Sequence, residues 1–369
     1  MIKGLYIHIP FCDQICTYCD FCKMVTSNHK KKEYMKALVK ELEYYSDLVS
    51  NVETIYIGGG TPSSLDNELL SAFLAELETI IDLSEIKEFT IETNPNDITE
   101  EFLSILKKYH ITRISMGVQT LNEKLLDFLG RTHKPKTVFK AIDLIKESNL
   151  NYNLDFLYAI PGQTKTDLKS DLEYISKFKP HHISYYSLIL EDKTVLNYLI
   201  DKHKVDDFND DLAREFGEII DNKLEELGYE KYEISNYALP GYKSKHNLLY
   251  WNLEEYLGVG LNASSQFNYT RMVNPKKISN YLKEIEDKSL TMHHLEEFNP
   301  KLETLLVGMR KVEGIDLTAY KKRFKKDVFE IYPELKKHLK NNLLKIENNR
   351  LKFTKEGMYL ANQVFMDIF

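Results

Sequence analysis

The sequence predicts an α/β fold: six strand–helix units forming an open or partial parallel barrel, followed by a mostly helical, winged-helix-like C-terminal region. Three observations predict it. Short apolar strands alternate with amphipathic helices through the first half, the pattern of βαβ units and a parallel sheet. A polar or glycine-rich motif follows five of the strands, at the end where parallel barrels keep their working face. Past Thr194 the alternation stops.

The first strand is read at Leu5–Ile9 and closed by Pro10, with a helix from about Lys31 to Asp47 carrying Tyr34, Leu38, Leu42 and Tyr45 on one face. Thr54–Ile57 is the next strand and Asp66–Ile81 the next helix. Strands at Phe89–Glu92 and Arg113–Met116 follow, with a helix from about Thr99 between them. Helices at Leu121–Phe128 and Lys136–Glu147 precede strands at Asn153–Leu157 and Ile183–Ser187. The motifs after the strands are a cysteine loop, Gly58-Gly59-Gly60-Thr61-Pro62, Glu92-Thr93-Asn94-Pro95, Gly117-Val118-Gln119-Thr120 and Ile160-Pro161-Gly162-Gln163-Thr164.

A long helix is expected over about Asp207–Leu227, then loops and short strands from Tyr232 to Phe267. The last third reads as helical with one late hairpin. Leu343–Ile346 and Arg350–Phe353 flank Asn348-Asn349, a two-residue turn, and Thr354 can cap a final helix. The division expected is 1–195 for the barrel, 196–295 for an extension and 296–369 for the C-terminal module.

With 369 residues the chain buries a sizeable core, and 43% hydrophobic with 28% charged residues is the composition of a soluble globule. A net charge of -7 argues against a general nucleic-acid or anionic-membrane binder. The run Lys30-Lys31-Lys32 reads as a solvated helix start. No apolar run approaches the ~18 residues of a membrane span. The opening MIKGLYIHIP lacks the apolar core of a signal peptide, so a cytoplasmic protein is expected.

All four cysteines lie between positions 12 and 22, which excludes a disulfide scaffold. Cys12, Cys16 and Cys19 follow a Cys-X3-Cys-X2-Cys spacing. Thiolates at this pitch can converge on one iron–sulfur cluster, leaving one iron open. A zinc site or redox thiols are the alternatives, although zinc knuckles usually add a distant second cysteine pair and this chain has none.

The phrases LYIHIPFC, CDQICTYC, IGGGTPSSL, IETNPND, RISMGVQTLN, LGRTH and IPGQT resemble the radical S-adenosylmethionine (SAM) superfamily, and within it the oxygen-independent coproporphyrinogen III oxidase-like family. YEISNYA, KHNLLYWN and YLGVG extend the likeness. The resemblance implies that Cys12, Cys16 and Cys19 hold a 4Fe–4S cluster whose open iron is chelated by SAM. It implies that Gly59, Gly60 and Thr61 approach the amino-acid end of SAM, and that Glu92, Gln119, Arg131 and Asp155 position it through polar contacts. Tyr6 and Tyr18 match contacts near the sulfonium.

The family has an oxidase branch, which decarboxylates porphyrinogen propionates, and a HemW-type heme chaperone branch. Three features point to the chaperones. Only five residues precede Tyr6, which leaves no room for the longer upstream segment of the oxidases. Phe21 stands where the oxidases have a fourth cysteine. His246-Asn247-Leu248-Leu249-Tyr250-Trp251 matches the HNxxYW signature of the chaperones. The resemblance then implies heme as cargo, with His246, Tyr250 and Trp251 as its contacts, and a heme-accepting respiratory protein as partner. On a helix His246 and Tyr250 would share a face. A monomer or homodimer with at most peripheral membrane contact and no nucleic acid is expected. The pairs His181-His182 and His293-His294 read as surface. The sequence departs from the family at Cys22, which is extra, and at Ser264, where a histidine is frequent. Two alternatives come from other classes: a radical oxidase or decarboxylase acting on coproporphyrinogen III or a related substrate, and an electron carrier with four cysteine ligands.

Overall fold

The computed structural model describes residues 1–205, 210–287 and 294–368. Six parallel strands form the expected partial barrel: β1 (Gly4–Ile9), β2 (Thr54–Gly59), β3 (Glu88–Thr93), β4 (Arg113–Gln119), β5 (Asn151–Tyr158) and β6 (His182–Ser187). Helices between them cover the outer face. Leu5, Ile7, Ile9, Ile55, Ile57, Phe89, Ile91, Ile114 and Met116 point outward and are buried in one continuous core. This alternation places the other side of each strand inside the barrel.

The sheet continues on both edges. Beyond β6 lie β7 (Glu230–Lys231) and β8 (Asn236–Ala238), with β8 antiparallel to β6. Beyond β1 lie β9 (Tyr256–Val259), β10 (Ser264–Phe267), β11 (Thr270–Val273) and β12 (His294–Glu296). The full order is β12-β11-β10-β9-β1-β2-β3-β4-β5-β6-β8-β7. β9 pairs with β1 in parallel, so the barrel has a seventh parallel strand where six units were expected. β9 is four residues long and follows a short helix, Lys245–Trp251, so no long amphipathic pattern announces it.

The C-terminal module has its own core around Leu305, Tyr320, Leu335, Leu351 and Phe353. Its three-stranded sheet runs β13 (Ile315–Asp316), β15 (Arg350–Phe353), β14 (Leu344–Glu347). Asn348 and Asn349 both take positive φ, 51° and 60°, the geometry of a tight two-residue hairpin. Thr354 caps the next helix by accepting from the Gly357 N–H at 3.0 Å.

Two surface expectations are corrected. Lys31 is buried: its Nζ donates to the Ser64 carbonyl at 2.9 Å and lies 3.7 Å from Asp13, because the loop after β2 folds over the helix start. His182 is 1% exposed, because it begins an inward-facing row on β6, and His181 is half-buried against Tyr242. His293 and the start of the long helix near Asp207 lie outside the described residues; the described part of that helix is Asp210–Glu226.

One buried carboxylate ties the added strands to the barrel. Glu41, on the Asn28–Tyr44 helix, accepts from the Gly260 N–H at 2.8 Å, the Tyr281 hydroxyl at 2.6 Å and the Asn274 amide at 2.6 Å. Burial pushes its carboxyl up, and these three donors oppose the shift. Glu41→Ala leaves the Gly260 N–H and the Tyr281 hydroxyl without an acceptor and takes one of the two acceptors of the Asn274 amide, so urea unfolding should show a loss of about 3 kcal/mol. A loss under about 1 kcal/mol would contradict this role.

Candidate functional site

The inward rows of the barrel are polar. Glu88, Thr90 and Glu92 alternate along β3 with apolar residues that face the helices, and Arg113, Ser115, Gly117 and Gln119 do so along β4. Asn153 and Asp155 on β5 and His182 and Ser184 on β6 continue the pattern. Closed barrels fill this space with branched apolar side chains. Here it is a cavity of about 530 Å³, reaching from the cysteine loop to the foot of the strands, where Ser244 and Asn247 also line it.

The cysteine loop is pinned over the upper end. Cys12 N–H donates to the Met24 carbonyl at 3.0 Å and Met24 N–H to Pro10 at 2.7 Å. Thr17 N–H donates to Leu129 at 3.1 Å, and Leu196 N–H to Thr17 at 2.9 Å. From β1, the His8 ring sits between the Tyr6 hydroxyl at 2.9 Å and the Cys22 carbonyl at 2.8 Å. The glycine turn after β2 closes on the same loop. Gly60 N–H donates to Ile9 at 2.9 Å and Thr61 N–H to Phe11 at 2.7 Å. A Cβ on Gly60 would lie 2.6 Å from the Phe11 carbonyl oxygen. Gly59 has φ +120°, and a Cβ there would strike the His8 ring at 2.5 Å.

Cys12, Cys16 and Cys19 all line the cavity, together with Tyr18, Gly59, Gly60, Thr61, Glu92, Gln119, Arg131 and Asp155. Cys22 is not among its lining residues; it is half-buried and packs against the main core. Tyr6 lies outside the lining too. Burial pushes the Cys12 thiol up to about 11, with the Thr61 hydroxyl at 3.6 Å opposing, and burial also raises Cys19. Such thiols stay protonated until a cation replaces their protons.

Arg131 sets the positive charge of the site. Its guanidinium donates to Asn94 Oδ1 at 2.5 Å and Gly117 O at 2.9 Å and lies 3.5 Å from Cys16 Sγ. Glu92 accepts from the Tyr56 hydroxyl at 2.8 Å and the Gly59 N–H at 3.0 Å. Burial nonetheless raises its carboxyl to about 7, with Asp155 adding to the shift. Asp155 is likewise raised by burial while accepting from Ser115 at 3.0 Å and Asn153 at 2.7 Å. Gln119 takes a left-handed φ of 67°. The following turn is held by Asp171, which accepts from Thr120 Oγ1 and Leu121 N–H, each at 2.8 Å.

The structure does not bring His246, Tyr250 and Trp251 to this cavity. His246 and Tyr250 do share a helix face, but they bond to each other, Nε2 to hydroxyl at 2.7 Å. The other His246 nitrogen, Nδ1, is 2.7 Å from Thr54 Oγ1, so both ring nitrogens are engaged and the ring is buried. Trp251 faces the C-terminal module, with the Arg310 guanidinium 4.6 Å over its ring. The residue of this motif that lines the cavity is Asn247. Sequence reasoning missed Asn247, Arg113, Asn94 and Asp171. Asn94 and Asn247 stood inside quoted phrases; Arg113 and Asp171 carried no motif, and only strand register and helix packing place them.

Comparison with known proteins decides the family. A model of the Radical SAM superfamily matches residues 6–175, and one of the HemN C-terminal domain matches residues 301–360. The chain is 36% identical to the heme chaperone HemW of Lactococcus lactis subsp. lactis (strain IL1403), over 98% of this chain and 96% of that protein. The chain belongs to the HemW family. The HemW of Bacillus subtilis (strain 168) is 34% identical over 99% of this chain and 98% of its own length. The coproporphyrinogen III oxidase (HemN) structure from Escherichia coli superposes with a TM-score of 0.82 at 20% identity, covering 100% of this chain and 90% of that one. The radical SAM fold of this HemW-family chain is thus shared with HemN. Among the described residues no helix is long and apolar enough to cross a membrane.

Glu92 makes the cofactor-free protein pH-sensitive. Its folded pKa of about 7 lies above the ordinary 4.5, so its contribution to stability is complete below about 4.5 and is lost as pH rises through 7. The loss amounts to up to about 3 kcal/mol. Asp171, also raised to about 7 by burial, adds to the same slope. Between pH 5 and pH 8 the urea midpoint of the cluster-free protein should fall relative to that of Glu92→Gln, the gap between the two widening as pH rises through 7. Identical slopes in both proteins would contradict the assignment.

Proposed function

We propose that this chain is a cytoplasmic heme chaperone that carries a 4Fe–4S cluster and SAM in its barrel and passes heme to a respiratory protein. The observation that carries the reading is likeness to HemW heme chaperones along nearly the full length of both chains. Phe21 after the third cysteine and the His246–Trp251 motif agree with it.

Cys12, Cys16 and Cys19 are proposed as the cluster ligands. The fit rests on three thiols lining one cavity, on the glycine cradle beside them and on the Arg131 guanidinium near Cys16. A cluster held by three thiolates leaves one iron for SAM and supplies one-electron chemistry at the sulfonium. Gly59, Gly60 and Thr61 border the space for the amino-acid end of SAM. Arg131 offers a guanidinium to its carboxylate, and Glu92 and Asp155 offer carboxylates to its cationic or hydroxyl groups. Gln119 and Tyr18 close the sides. Tyr6 acts through His8, as part of the strut that holds the loop. His246 and Tyr250 are proposed as the brace that seats Asn247 at the foot of the barrel, in place of a direct heme contact.

Two measurements test this reading. Iron and sulfide analysis after anaerobic reconstitution should find the cluster retained in Cys22→Ala and lost in Cys12→Ala; loss in both would favour a four-cysteine electron carrier. Heme titrated into the reconstituted protein should give a saturable, one-to-one Soret change that persists in His246→Ala. Absence of saturable binding, together with conversion of SAM to deoxyadenosine on a porphyrinogen, would favour the oxidase alternative.

A further inference from the structure

The lower half of the barrel cavity holds groups that the SAM site does not use. Arg113 stands at the start of β4 and is 6% exposed. Its one hydrogen bond within the described residues runs from Nη1 to the Tyr242 carbonyl at 3.0 Å. No carboxylate of the described residues forms an ion pair with it. A buried guanidinium in this state is strongly destabilised unless an anion joins it.

Thr90 is its register partner on β3 and is 1% exposed. The Thr90 hydroxyl is buried without a hydrogen-bond partner. Asn247 approaches from the Lys245–Trp251 helix. The start of that helix is fixed by Glu88, which accepts from Ser244 Oγ at 3.1 Å, Lys245 N–H at 2.9 Å and His246 N–H at 2.9 Å. Glu88 is therefore engaged by the helix, and Asp155, the carboxylate that attracts Arg113 through space, is not in ion-pair contact with it and is bonded to Ser115 and Asn153. Arg113, Thr90 and Asn247 all line the one cavity, Thr90 and Arg113 on the row below Glu92 and Ser115.

We propose that Arg113, Thr90 and Asn247 form a carboxylate-binding subsite at the foot of the barrel, separate from the place of the SAM carboxylate near Arg131. A guanidinium, a hydroxyl and an amide are the donor set that a desolvated carboxylate requires. The carboxylate can come from a porphyrin propionate, which rests on the heme-chaperone reading, or from a free small carboxylate.

The test uses the full-length, cluster-loaded protein with saturating SAM, and three probes: hemin, hemin dimethyl ester and propionate. The variants are Arg113→Met and Thr90→Val. The Thr90 hydroxyl has no partner to lose, so Thr90→Val should melt at or above the wild-type temperature in the absence of probe, whereas Arg113→Met also frees the Tyr242 carbonyl and is read only by its response to the probes. If the propionate of heme is the ligand, hemin binding weakens about tenfold or more in Arg113→Met. The dimethyl ester then binds wild type and variant alike. If a free carboxylate is the ligand, propionate raises the melting temperature of wild type and not of either variant, while hemin binding is unchanged. Thr90→Val keeps the side-chain shape and carries the test if Arg113→Met does not fold. Equal responses of wild type and Thr90→Val to hemin and to propionate would overturn the subsite. Absence of hemin binding by wild type would instead count against the heme-chaperone reading, and the propionate arm would still decide the subsite.

Discussion

The close approach of Gly60 to the Phe11 backbone is the contact on which the rest of the site depends. Ile9 and Phe11 accept hydrogen bonds from Gly60 and Thr61, so the end of β2 is sewn to the start of the cysteine loop. Any Cβ at Gly60 would enter the space of the Phe11 carbonyl and the Pro10 backbone. With that seam closed, Cys12 lies beside Thr61 and the next two cysteines fall along the rim of the same cavity. Loop conformation, thiol convergence and the approach of backbone N–H groups to a ligand thus follow from one missing side chain.

The barrel divides its labour between the two faces of each strand. Outward residues are apolar and packed against helices, and they supply the hydrophobic stabilisation. Inward residues are polar and largely desolvated. Their cost is reduced by mutual bonding, as where Asp155, Ser115 and Asn153 satisfy one another. It is not removed everywhere, since the Glu92 carboxyl is shifted upward and the Thr90 hydroxyl is orphaned. Residual strain of this kind collects where a ligand is to be received. The outer helices and the added strands β9–β12 hold the frame while the inner face stays available.

The alternation of apolar strands and helices made the first half legible, because buried parallel strands carry a dense apolar signal. The cysteine spacing and the post-strand glycines marked the upper rim for the same reason: few residue types can do those jobs. The Asn348-Asn349 turn was legible because both positions need positive φ. β9 was not, since four residues joining a distant strand leave no local period. Lys31 and His182 were misplaced because nothing in a sequence tells which polar residue the tertiary fold will bury. The surroundings of His246 were illegible for a related reason. Its type and neighbours suit a metal ligand, but its engagement by Thr54, 192 positions away, is visible only in three dimensions.

The central claim is that three thiolates on a glycine-braced loop leave an open iron position facing SAM in the polar barrel. Electron paramagnetic resonance of the reduced, anaerobically reconstituted protein, recorded before and after adding SAM, tests it most directly. The account predicts a 4Fe–4S signal whose g-values shift on SAM addition, with the shift lost when Arg131 is replaced by Met. A cluster signal indifferent to SAM would contradict the account and would mean that the fourth iron is already taken.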